Sequence, residues 1–204
     1  AKHFSYITYH DSLTSIWDNL IIDNTSNAIL TNILNEIITM LNHSISVKDN
    51  NTGLLMRMTG IILSKITQRD VIKTNLDNIF SLVHSEYKNE KVNGDIDPSS
   101  IDFALRCGVA EAFGFGSRNN IDVVIDKVNS MFKSEVTVKP VTGFASFFMS
   151  AKAPELSDEI VSSLIAIIGS IAFHSTPETL RSRIKSNFTS HLDTYLDIEK
   201  GKKK

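Results

Sequence analysis

Apolar residues recur along this chain at spacings of three and four. Ile29, Ile33, Ile37, Met40 and Leu41 make one such series, and Leu55, Met58, Ile62 and Ile66 make the next. A period near 3.6 marks an amphipathic helix with one face toward a core. Alternation of the kind a half-buried strand needs is brief. Its nearest instance, Val136 to Val141, is cut by Pro140, which cannot donate to a sheet ladder. The pattern predicts an all-α chain, with helices near 12–22, 27–43, 53–67, 70–87, 98–116, 120–133, 141–150, 156–174 and 177–196.

The joints between these stretches are short and carry capping residues. Asp70 stands before Val71, Asn119 and Asn120 before Ile121, and Thr176 before Pro177. An oxygen-bearing side chain at the N-cap satisfies free amides of the first turn, and proline suits the first helical position. Short joints make consecutive helices antiparallel, giving pairs over about 12–43, 53–87, 98–133 and 156–196, with the 141–150 helix as an addition. Ser85 to Ser100 is charged, contains Gly94 and Pro98, and is expected to be an exposed loop.

Three of the pairs resemble one another. "MTGIILSKITQRDVIKTNLDNIF", "AFGFGSRNNIDVVIDKVNSMF" and "IIGSIAFHSTPETLRSRIKSNF" each hold a helix with an interior glycine, a polar joint and a second amphipathic helix ending near Phe80, Phe132 or Phe188. Gly60 precedes Val71, and Gly169 precedes Leu180, by the same interval, whereas Gly114 lies closer to Ile121. Recurrence of one hairpin unit predicts a HEAT-like α-solenoid, a single run of repeats over 1–204. The start "AKHFSYITYHD" has no Met, no long apolar run and no evident capping repeat. It reads as a cut in a longer solenoid, with weak self-association expected through the uncovered ends.

Composition narrows the function classes. Hydrophobic residues make up 42% and charged residues 22% of the 204 positions, enough to bury a core. A net charge of -2 argues against nucleic acid or an anionic membrane as a general partner. The single cysteine, Cys107, fits a reducing, cytoplasmic compartment and is expected in the core. The longest apolar run, Leu164 to Phe173, is half the ~20 residues a membrane span requires.

The segment "CGVAEAFGFGSRNN" invites a nucleotide reading, since glycines let a backbone close on a pyrophosphate at a helix N-terminus. That fingerprint needs a preceding strand and a third glycine. Here Asn119 takes the third place, and Ile101, Leu105, Val109 and Phe113 keep helical spacing. Gly108 is therefore expected at a close helix crossing, and Gly114 and Gly116 in the last turn or left-handed cap of a helix. Gly60, Gly169 and Pro177 complete the set of structural positions. No two of the six histidines share the i, i+4 spacing of a helical metal pair,. The residues call for no catalytic group, no metal and no cofactor. Arg181, Arg183 and Lys185 form a modest basic run, expected to be a solvated face.

The segments from Gly114 to Val136, then Lys139 and Gly143, then Ser163 to Ile184 resemble the maestro heat-like repeat family. The shared pattern is a glycine-bearing helix, the Ile121-Asp122 pair opening the next helix, the run Phe132 to Val136, and Gly169. The likeness extends over about Thr52 to Leu196. It implies a large, non-enzymatic scaffold, peripheral on lysosomes or late endosomes and connected with WASH-generated actin, binding proteins through its solenoid surfaces. The alternatives are a HEAT-type adaptor of nuclear transport or translation and, least in keeping with the residues, a nucleotide-binding enzyme domain.

Overall fold

The computed structural model describes residues 12, 15–21, 25–47, 49, 51–86, 101–136, 158–189 and 193. They form helices and their joins, with no strand among them. A short helix α1 covers residues 15–20. Then come α2 (Asn27–Ser46), α3 (Thr52–Lys65), α4 (Arg69–Glu86), α5 (Ile101–Val136) and α6 (Asp158–His174). Helix α7 opens at Pro177–Thr179, passes through a π-helical turn at Leu180–Ile184 and stays helical to residue 189. The short helix expected at 141–150 and the end of the 177–196 helix lie outside the described residues; of the loop expected over 85–100, Ser85 and Glu86 belong to the last turn of α4 and the rest lies outside the described residues.

Helix α2 begins where Ser26 accepts a hydrogen bond from the Ile29 amide. Two apolar stripes compete on its surface. Leu30, Leu34, Ile37 and Leu41 are buried, while Ile29 and Met40 stay exposed. The inward face is thus turned by about one residue from the series Ile29, Ile33, Ile37, Met40, because the leucines sit on the same side as Ile37.

Helix α3 is buried on nearly every side: Thr52, Gly53, Leu55, Met56 and Thr59 through Ser64 are all inaccessible. It lies between α2 and α5, and α5 in turn lies between α3 and α6. The start of α2 is tied to the end of α3 by Asn27, which donates to Thr67 Oγ1 at 2.8 Å and accepts from the Thr67 amide at 3.2 Å. Buried Ser44 and Thr52 exchange a hydroxyl bond across the α2–α3 joint. One continuous core runs through the layer, with Leu30, Met56, Ile61, Leu76, Phe113, Val124, Leu164 and Ile171 all wholly inaccessible.

Two helices were expected at 98–116 and 120–133, and the structure divides the stretch in that way: two helical runs, before and after the non-helical residue Asn120 (φ -130°, ψ 35°), join across a kink and are together called α5. Asn119 and Asn120 do not cap a new helix. Their side-chain amides donate across to carbonyls at the end of α3: Asn119 to Ser64 at 3.0 Å, Asn120 to Leu63 at 3.0 Å, beside the bond Leu63 accepts from the Ile66 amide, and to Ile66 at 3.2 Å. The last carbonyls of a helix have no partner within it. Donors supplied from α5 satisfy them, and the bend places those donors. At α7, Thr176 accepts from the Thr179 amide at 3.2 Å and Pro177 stands in the first turn.

Candidate functional site

Glycines 108 to 116 lie inside α5, on the two faces by which it meets its neighbours. An added Cβ at Gly108 would stand 2.9 Å from Met56 Cβ and 3.2 Å from the Gly53 Cα of α3. From the α3 side, a Cβ at Gly60 would stand 2.6 Å from the carbonyl oxygen of Ala112 and 2.7 Å from its Cα. On the other face, a Cβ at Gly114 would collide with Ser170 Oγ and approach His174 Cδ2 to 2.6 Å. Gly116 has only ordinary contacts, to Leu63 and Gly60. Gly116 lies in the last turn before the break at Asn120, as expected, while Gly114 lies a little further inside the helix, and neither takes a left-handed cap conformation. Helix axes approach this closely only where a residue lacks a side chain.

The backbone amides here are engaged within a helix, so the segment offers no loop of free N–H groups for a phosphate. Gly169 differs from the rest. It is exposed, and nothing lies within 4 Å of its added Cβ.

A polar cluster sits where α1, α3, α5 and α6 come together. Arg118 donates to Asp18 at 2.6 Å, and Lys65 stands 3.9 Å from the same carboxylate. The Arg118 guanidinium lies 4.3 Å over the Phe115 ring and 3.5 Å from His174 Nδ1. His174 in turn packs on Phe115 at 4.2 Å between centroids and meets Phe173 edge-on. Burial, then the positive charges of Arg118 and Arg57, hold the His174 pKa down to about 4, against the opposing pull of Asp18. The ring is therefore neutral at physiological pH, stacks on Phe115, and offers Nδ1 as an acceptor to the Arg118 guanidinium,.

Sequence reasoning passed over this cluster. Arg118 is 100 residues from Asp18 and 56 from His174, and no local spacing announces contacts of that range. The one local signal was the adjacent pair Phe173-His174 at a helix end.

A second ion pair spans α3 and α5. Arg57 reaches Glu111 with two nitrogens, at 3.1 and 3.3 Å. Cys107, expected in the core, is exposed on the α5 surface. Partial burial pushes its thiol above the usual range and the Glu111 charge pushes it further, with Arg57 and Arg106 pulling the other way. A nucleophile needs the thiolate, so this environment favours the less reactive form. Among the described residues, no three His, Cys, Asp or Glu side chains come together as metal ligands. In the basic run, Arg181, Arg183 and Lys185 are all exposed, and Arg183 pairs with Asp122 of α5.

The ion pairs among these contacts join one helix to another. No helix among the described residues is long and apolar enough to cross a membrane. Compared with family models, with curated proteins and with solved structures, the chain matches none.

Proposed function

We propose that this chain is a non-enzymatic scaffold, a segment of a HEAT-like solenoid that presents helix surfaces to protein partners. The observation that carries the reading is the position of α5, seated on α3 through Gly60 and Gly108 and on α6 through Gly114. The reading draws support from the layering in which α2 meets α3, α5 meets both α3 and α4, and α6 meets α5, since stacked hairpins bury a continuous core. The residues that a nucleotide-binding reading would use for phosphate are instead used for packing. The site on lysosomes or late endosomes, and the link to WASH-generated actin, rest on the resemblance to the maestro heat-like repeat family.

Proximity labelling from the tagged chain in living cells tests the reading. Enrichment of late-endosomal and lysosomal surface proteins and of actin-nucleation components is expected. Enrichment of nuclear-pore or ribosomal factors would replace it with the adaptor alternative, and stoichiometric binding of ATP, GTP or NAD by the purified chain would overturn it.

A further inference from the structure

The outer face of α6 carries an apolar row that nothing in the described structure covers. Ile165 is 44% exposed and Phe173 85%, the highest value among the large exposed apolar side chains. Between them stands Gly169, with empty space where the other crossing glycines have a neighbour. The three are spaced by four, so they form one ridge of the helix surface. Ala166 is also exposed, and Ala172 is half-buried. Ile167 and Ile171, on the opposite side, are wholly buried in the core, so α6 is anchored and its outer row is held in place.

At two to four positions from Gly169 the residues match in both directions, Ile165-Ala166-Ile167 on one side and Ile171-Ala172-Phe173 on the other, while the immediate neighbours Ile168 and Ser170 differ. A two-fold axis through Gly169, perpendicular to the helix, maps position 165 onto 173 and 166 onto 172. A second α6 laid antiparallel therefore meets large residues with large ones and alanine with alanine, and its own glycine falls at the point of closest approach. Self-complementarity about a two-fold is what an isologous contact demands. Gly60 and Gly108 show, within the same molecule, how closely a helix settles on a glycine of its neighbour.

We propose that the α6 face is a homodimer contact, formed by two copies of this chain crossing at Gly169. Packing of one i, i+4 ridge against another sets the helix axes at roughly 50°. One helix pair buries less than the ~1,200 Å² of a standard interface, so the dimer is weak, with a dissociation constant of roughly tens to hundreds of micromolar.

Sedimentation equilibrium over that concentration range, together with disulfide trapping, tests the proposal. The mass should rise with concentration to a limit of two chains, and Phe173→Asp should raise the dissociation constant at least tenfold without lowering the melting temperature. In a Cys107→Ser background, Gly169→Cys should oxidise to a covalent dimer, because only Cα atoms brought within about 7 Å form that bond. Asn32→Cys, exposed on α2, should stay largely monomeric under the same oxidation. A monomer at every concentration would overturn the proposal. So would growth beyond two chains, which marks a head-to-tail contact, or trapping that is equal at positions 32 and 169.

Discussion

Gly60→Ala and Gly169→Ala make the same chemical change in two helix interiors and should act in opposite directions. Each exchange removes backbone freedom from the unfolded chain and is worth up to ~1 kcal/mol through helix propensity. At Gly169 that gain is unopposed, since nothing lies within 4 Å. At Gly60 the new methyl would stand 2.6 Å from the Ala112 carbonyl oxygen and 2.7 Å from its Cα. Both atoms are backbone, so no side chain can swing away. Restoring ordinary contact, which begins near 3.4 Å, moves α5 outward by roughly 0.8 Å along a densely packed seam. Overpacking of this kind typically costs about 1 to 3 kcal/mol. The two variants should therefore differ by about 1 to 3 kcal/mol, or about 2 to 12 °C in melting temperature for a chain of this length. Thermal unfolding followed by circular dichroism, at low micromolar concentration, reads the difference. If Gly60→Ala melts as high as Gly169→Ala, the α3–α5 crossing is not as close as described.

Asn120→Ala removes two hydrogen bonds from the carbonyls ending α3 and should destabilise the fold by about 1 to 3 kcal/mol, read by urea unfolding. The His174 ring, with its pKa held to about 4 against an ordinary 6.5, stays neutral in the fold while the unfolded chain takes up a proton. Stability should therefore fall as pH drops from about 6.5 to 4 and level off below. Because the ring is half-exposed, screening limits the loss to the order of 1 kcal/mol, and His174→Phe should flatten that part of the curve. Arg118→Met removes a charge that disfavours the imidazolium, so a proton NMR titration of His174 should shift upward. An unchanged midpoint would exclude Arg118 as a cause. Cys107 should react slowly with a disulfide reagent at neutral pH, and Glu111→Gln should speed the reaction by removing a charge that raises the thiol.

Helix type and approximate extent were legible in the sequence because a 3.6-residue period is a local property. The Thr176–Pro177 start is local in the same way. What escaped was set by partners distant in the chain. In α2 two apolar stripes overlap, and only the presence of α3 decides that Leu30 and Leu34 turn inward while Ile29 and Met40 do not. Glycines near Asn119 and Asn120 look like a helix end when read alone. The helix does break there, at Asn120, but the asparagine amides are spent on another helix's carbonyls instead of capping the next helix. Cys107 lies among apolar residues in sequence and on the surface in space, since a helix turns by about 100° per residue. The contacts of Arg118 with Asp18 and His174 join residues too distant in the chain for any local spacing to announce them.

The glycines from Gly108 to Gly116 are buried at the contacts of α5 with α3 and α6, and a seam of this kind leaves no room for a phosphate. Hydrogen exchange over that segment, measured with and without ATP, GTP and NAD, tests this directly. A helix interior packed on both faces should protect these amides nearly to the level of global unfolding, and nucleotide should leave the protection unchanged. Fast exchange in the free chain that slows when a nucleotide is added would contradict the account.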